Sequence, residues 1–308
     1  MPELPDIELY LHALRPRIVG QRLERIRLTS PFLVRSFDPP LEQVHGKTVI
    51  GLRRLGKRLV WEMDDDLFLV IHLMIAGRFK WKEAGTKLPG KVGLAAFDFP
   101  NGTLLLTEAG SKRRASMYLV KGGRALEAHD PGGIDVLTTS VDAFAAALTR
   151  ENHTLKRALT DPHVLSGIGN AYSDEILHAA RLSPMQLTSR LSRDEIAVLH
   201  GEVIRILIKW RDDLIAETGA GFPDKVTAFR EGMAAHGRYG KPCPACGTAI
   251  QRIQYASNEA NYCPTCQTGG KLLADRGLSR LLKDDWPRSL EELNRRSRDQ
   301  KDISKKYS

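Results

Sequence analysis

Two sets of residues could do chemistry: the start of the chain, Met1-Pro2-Glu3-Leu4-Pro5-Asp6, and four cysteines near its far end. Removal of Met1 would leave Pro2 with a free secondary amine beside the carboxylate of Glu3. An α-amine with a pKa of about 7.7–8 is roughly a tenth unprotonated at pH 7, whereas an ordinary lysine at about 10.4 offers well under a thousandth. A secondary amine that condenses with an aldehyde or hemiacetal carbon gives a cationic iminium, which is a good electron sink. Taken alone, the same residues also fit an ordinary processed N-terminus with a proline-rich helix entry.

The cysteines are Cys243-Pro-Ala-Cys246 and Cys263-Pro-Thr-Cys266, with sixteen residues between the pairs. Two C-x2-C knuckles at this distance each supply two of the four corners of a thiolate tetrahedron, which is a structural Zn²⁺ pattern. Four cysteine ligands leave no open coordination position, so such a zinc folds a hairpin and activates no water. A pair of disulfides is the competing reading, and an intracellular chain with no other cysteine argues against it.

These groups need elements to hold them. Leu4, Ile7, Leu11 and Leu14 recur at helical spacing, and Pro5 suits a first turn, so a helix begins here. Its unpaired N–H groups and positive dipole end face residues 2 and 3, a setting for work on an anionic substrate. Short alternating segments bounded by turns follow: Arg22–Leu28, Lys47–Leu52, Lys57–Met63, Leu67–Met74, Gly77–Trp81, Leu94–Phe99, Thr103–Thr107 and Ala115–Val120. Together they predict a β-sandwich. Gly122-Gly123 and residues 129–133 read as the exit from it.

From about residue 140 the period is helical, with short helices at Val141–Thr149, Leu155–Thr160 and Ala171–Ala180. Ser192 and Glu195 form a capping box that opens a long helix with Ile196, Leu199, Val203, Ile206, Trp210 and Leu214 on its core face. Gly167-Ile168-Gly169-Asn170 is a glycine turn feeding a helix; it can present N–H groups to a phosphate, or be an ordinary helix connection. Residues 217–240 contain five glycines and read as a mobile loop. The tail from Trp286 is basic and reads as a loose helix or disordered.

The 308 residues carry a formal net charge of +9, which suits a polyanionic partner, nucleic acid first. No run approaches the roughly 18 apolar residues of a membrane helix. The N-terminus has acids where a signal peptide has bases, so the chain is expected to be intracellular, in the cytoplasm near the nucleoid.

These pieces, in this order, resemble the formamidopyrimidine-DNA glycosylase / endonuclease VIII family of base-excision repair enzymes over residues 1 to about 275. The resemblance rests on Pro2-Glu3-Leu4-Pro5, Gly56-Lys57, Ile71-His72-Leu73, Gly167-Ile168-Gly169-Asn170, His236-Gly237-Arg238 and the four cysteines. It implies an α+β fold: an N-terminal helix plus β-sandwich (1–132), a helix–two-turn–helix DNA-binding domain (133–240), a four-cysteine zinc-finger hairpin (241–272) and a basic tail (273–308). It implies Pro2 as the nucleophile that attacks C1′, Glu3 as acid/base, and Lys57 as the catalytic lysine that contacts phosphate and assists proton transfer. His72, Lys156 and Asn170, with Arg238, are implied to contact DNA. One structural Zn²⁺ is implied on Cys243, Cys246, Cys263 and Cys266.

This sequence departs from the family at four places. The family's usual Glu at position 6 is Asp6. The usual His-Leu-Gly-Met-Ser-Gly reads His72-Leu-Met-Ile-Ala-Gly77, which moves the methionine wedge by one place. The usual Asp-Pro-Arg-Arg-Phe-Gly appears around Arg113 and Arg114 without its phenylalanine; either arginine could fill the gap opposite a flipped base. The arginine expected in the zinc hairpin falls on Asn258, so strand cutting is expected to stop after β-elimination.

The expected activity is therefore a bifunctional DNA glycosylase/AP lyase, monomeric, acting on double-stranded DNA with oxidised bases or abasic sites. The competing class is a catalytically silent zinc-finger DNA-binding protein of the same fold, for which Pro2, Glu3 and Lys57 would all be unnecessary. A zinc hydrolase is excluded by the four-thiolate site.

Overall fold

The computed structural model describes residues 1–110, 112–255, 258–274, 280–281, 287–293 and 295–296. The expected loose helix or disorder of the tail lies mostly outside these residues. The described chain divides into two compact units, residues 1–135 with 207–228, and residues 136–206 with 229 onward.

In the first unit, α1 (Leu4–Ile18) starts on Glu3, whose N–H donates to the Asp6 carboxylate at 2.9 Å. The shorter acid at position 6 thus still reaches back to the helix start. Leu4, Ile7, Leu11, Leu14 and Ile18 are buried, as their spacing predicts, and α1 packs on β2 (Val49–Leu55) and β3 (Arg58–Met63).

The eight expected strands are all present. β2 and β3 join β4 (Leu67–His72) and β8 (Ser116–Lys121) in one antiparallel sheet, ordered β2-β3-β4-β8. β1 (Arg25–Leu28), β5 (Gly77–Lys82), β6 (Gly93–Phe99) and β7 (Gly102–Glu108) form the other, ordered β1-β6-β7-β5. One core joins them: Trp61 and Ile71 from one sheet bury with Phe97 and Leu106 from the other, and the Trp61 and Phe97 rings lie 5.0 Å apart.

β6 and β7 are buried along their whole length, polar residues included. Asp98 is there because Arg25, Arg27 and Thr103 all donate to it. Burial alone would push its carboxyl up; the hydrogen bonds from Arg27, Arg25 and Thr103 outweigh that and hold it below its ordinary value. At the Gly122-Gly123 exit the chain forms a short helix, α2 (Gly123–Glu127).

The second unit contains α3 (Val141–Thr149), α4 (Leu155–Thr160) and α5 (Asn170–Ala179). α6 (Arg193–Thr218) begins on the expected capping box: Glu195 N–H donates to Ser192 Oγ, and Ser192 N–H donates to the Glu195 carboxylate. Leu214, on its far turns, belongs to the first unit's core. Strands Gln251–Tyr255 and Asn258–Tyr262 form the hairpin that carries the cysteines with a short helix, Pro264–Thr268. No helix among the described residues is long and apolar enough to cross a membrane.

Candidate active site and DNA-contacting residues

Pro2 and Glu3 sit at the N-terminus of α1, both buried, with Met1 half-buried before them. The terminal ammonium is held below its ordinary value of 8.0 chiefly by burial. Glu3 opposes this, Arg78 adds to it, Asp6 opposes and Lys57 adds. One amine at this end of the chain therefore senses Glu3, Arg78, Asp6 and Lys57 together, so the sandwich brings the three expected catalytic residues to one place.

Two turns make that convergence possible. Leu55 pairs with Arg58, leaving Gly56-Lys57 as a two-residue hairpin loop, with Gly56 at φ 61° as such a loop requires. Gly77 closes the other turn by donating its N–H to Leu73 O at 2.9 Å; a Cβ there would lie 2.3 Å from that oxygen. Met74 in this turn has φ 51°, the left-handed region that favours glycine. It occupies the place of the family pattern's glycine, and Ile75 occupies the methionine's. Ile75, 55% exposed, is the apolar side chain the turn presents.

Sequence reasoning missed Arg78, which ties this turn down. Its guanidinium donates to Val226 O at 2.5 Å and to Ile75 O and Gly77 O. It also missed Glu108, a buried carboxylate that accepts the N–H groups of Arg114 and Ala115 and fixes the start of the 114–116 segment. Arg113 and Arg114 are exposed, and the Arg113 guanidinium donates to Lys91 O.

His72 ends β4 with its Nε2 buried and without a hydrogen-bond partner. Its pKa is lowered to about 4 by burial first, then by Arg58 and Lys57, so the ring is neutral near pH 7.

In the second unit, Gly167 has φ 90° and Gly169 caps α5, with Asn170 its first residue and half-exposed. Lys156, expected at phosphate, is 4% exposed and directed inward. Its ammonium donates to Asn170 O at 2.6 Å, Ser173 Oγ at 2.8 Å and Asp174 Oδ1 at 2.5 Å. The other oxygen of Asp174 accepts from His236 Nδ1 at 2.7 Å and Asn261 Nδ2 at 3.1 Å. Glu175 accepts the N–H groups of Ala234, Ala235 and His236. The far end of the glycine-rich 217–240 stretch, expected to be mobile, is thus pinned to α5.

Arg238 donates to Pro242 O, while its Nε is buried without a partner. Asn258 opens the second hairpin strand opposite Tyr255. The four cysteine Sγ atoms lie within 4.8 Å of one another, with Cys246 and Cys263 3.4 Å apart and Cys243 and Cys266 4.0 Å apart. A tetrahedral zinc with Zn–S bonds of about 2.3 Å sets sulfurs about 3.8 Å apart, so the donor set fits. His178 Nε2 lies 3.2 Å from Cys243 Sγ, a contact that orients this ligand.

Three family profiles match the chain in order: the formamidopyrimidine-DNA glycosylase N-terminal domain over residues 1–114, its H2TH domain over 133–210, and a zinc finger found in FPG and IleRS over 240–269. The formamidopyrimidine-DNA glycosylase of Ligilactobacillus salivarius is 31% identical over 282 residues, covering 87% of this chain and 99% of that protein. The chain belongs to the formamidopyrimidine-DNA glycosylase family. An uncharacterized formamidopyrimidine-DNA glycosylase-like protein of Mycobacterium tuberculosis is 42% identical over 151 residues, 49% of this chain and 94% of that one.

Among solved structures, Lactococcus lactis Fpg in complex with abasic-site DNA aligns with a TM-score of 0.76 at 27% identity, over 86% of this chain and 99% of that one. The same protein with an oxidised-pyrimidine DNA aligns equally well, over 87% of this chain and all of that one. As in the family, the four cysteines hold one structural Zn²⁺.

Proposed function

We infer that this protein is a base-excision repair DNA glycosylase with AP lyase activity, working on oxidised bases and abasic sites in double-stranded DNA. The observation that carries the reading is the shared neighbourhood of the chain's N-terminus with Glu3, Asp6, Lys57 and Arg78. Once Met1 is removed, the Pro2 nitrogen is an amine in a partly desolvated site, and the burial that lowers the Met1 ammonium acts on it too.

Pro2 attacks C1′ of the damaged nucleotide and displaces the base, giving an iminium with the opened sugar. Glu3, at the start of α1, serves as the acid/base that protonates the sugar oxygen. The iminium acidifies the 2′ hydrogens, so loss of one of them expels the 3′ phosphate by β-elimination. Water then releases the unsaturated sugar and regenerates Pro2. With Asn258 in place of an arginine, cutting stops at this first elimination. Lys57, at its hairpin tip, serves the flanking phosphate and proton transfer.

A base must leave the stack before C1′ is reachable, at a cost of a few kcal/mol. Ile75 supplies an apolar wedge into the vacated space, with Arg113 or Arg114 opposite. In the second unit Asn170 and the N–H groups of the Gly167–Asn170 turn take a phosphate, and Lys156 holds that turn from behind. Arg238 adds a cation near the zinc hairpin, and the zinc keeps the hairpin folded while touching no reacting atom. Residues 1–132 thus carry the chemistry, while 133–240 and 241–272 grip DNA. The protein works as an intracellular monomer associated with the nucleoid.

The test is incubation of the Met1-processed protein with duplexes carrying 8-oxoguanine, formamidopyrimidines, hydantoins, thymine glycol or 5-hydroxycytosine. Release of a free base with a strand nick supports the reading. Duplex binding without base release from any of them would leave only a DNA-binding protein.

A further inference from the structure

The outer face of the β2-β3-β4-β8 sheet changes character along its length. Val60, Val70 and Val120 make it apolar, and Leu126 of α2 buries against them. Two residues before Val60 and two after Val70, the same face ends in one polar rung across three strands. Arg58 on β3 is paired with His72 on β4, and His72 with Ser116 on β8. The rung adjoins Lys57 at the hairpin tip.

Arg58 is the unusual member. The other partly buried arginines of this unit all have acceptors: Arg17 on Ala13 O, Arg27 on Asp98, Arg54 on Glu8, Arg78 on Val226 O and Arg211 on Asp212. Arg58 has no acceptor among the described residues, and its Nε is buried. Tyr118 and Asp130 are near enough to favour its charge, but burial outweighs both and lowers its pKa. A half-buried guanidinium with no hydrogen-bonded acceptor is costly for a fold to keep. His72 beside it also has a buried nitrogen without a partner. Guanidinium, imidazole and hydroxyl side by side on one rung make a donor set for a tetrahedral oxyanion, with no carboxylate on the rung.

We propose that the Arg58–His72–Ser116 rung is a seat for one DNA backbone phosphate, with Arg58 carrying its charge and acting separately from Lys57. The assignment rests on the DNA-repair reading above. It makes Arg58 a second cation next to the reacting nucleotide, one that fixes the strand alongside Lys57.

The experiment measures affinity for a duplex containing a tetrahydrofuran abasic analogue across a salt series, for wild type, Arg58→Gln and Arg58→Lys. Each phosphate neutralised contributes about 0.9 to the slope of log affinity against log salt. Arg58→Gln should lower the slope by about one, so its deficit against wild type should shrink about fivefold between about 50 and 300 mM salt. Arg58→Lys should keep the wild-type slope. If Arg58→Gln does not fold, the Arg58 Nε–H resonance of wild-type protein gives the answer. It should shift and exchange more slowly on adding the duplex. A wild-type slope in folded Arg58→Gln, or an Arg58 resonance indifferent to DNA, overturns the seat. Wild-type protein that binds no duplex would instead sink the DNA reading beneath it.

Discussion

The Lys156 ammonium meets the Asp174 carboxylate at 2.5 Å inside the second unit, both side chains almost wholly buried. Asp174 is also the acceptor for His236 and Asn261, so one carboxylate joins α4, α5, the 234–236 segment and the zinc hairpin. Removing one partner of a buried pair leaves the other charge uncompensated, at a cost of about 3–5 kcal/mol. Asp174→Ala is expected to lose stability of that order in urea unfolding, and Lys156→Met about as much. Lys156→Met with Asp174→Ala should cost less than the two singles added. Because the ammonium faces inward, Lys156→Met should leave the salt slope of DNA binding unchanged.

His72 predicts a pH effect on stability. Its folded pKa of about 4 lies below the ordinary 6.5, so the unfolded chain binds the proton more tightly between those values. Stability from the neutral ring is whole above about pH 6.5 and is lost as pH falls toward about 4. The full shift corresponds to about 3 kcal/mol, reduced to about 1–2 by the ring's partial exposure. Urea unfolding at about pH 7 and about pH 4.5 should show a smaller drop for His72→Gln than for wild type.

The turn at residues 73–77 separates the roles of its two apolar side chains. Met74→Gly should stabilise the fold by about 1 kcal/mol, because a left-handed backbone suits glycine. Ile75→Ala should slow base release severalfold while leaving cleavage of preformed abasic sites nearly intact, since only base flipping needs the wedge. Single-turnover rates on a lesion duplex and an abasic duplex check both parts.

Much of this was legible in the sequence, for identifiable reasons. The eight strands could be read because each is short, alternating and bounded by turns. α1 could be read because its apolar spacing and proline agree. The zinc knuckles are local, so spacing alone carries them. The Asp174 network could not be read, because its members come from positions 156, 174, 236 and 261 and meet only in the fold. Asp98 and Glu108 were hidden for the same reason: they are buried acids satisfied by donors from other segments. Arg58 gave no sign in the sequence, since a lysine–arginine pair at a hairpin is normally a solvated tip.

The zinc hairpin depends on its metal. Chelation should unfold the zinc hairpin, seen as loss of hydrogen-exchange protection in the strands Gln251–Tyr255 and Asn258–Tyr262. It should weaken DNA binding while leaving the first unit's core protected. Re-addition of Zn²⁺ should restore both.

The most direct measurement is borohydride trapping on a duplex with a natural abasic site. Met1-processed protein should give a covalent adduct in which peptide mapping places the sugar on Pro2. Pro2→Gly should trap far less, and protein that retains Met1 should not trap at all. An adduct mapped to a lysine, or equal trapping with Met1 in place, would contradict the account.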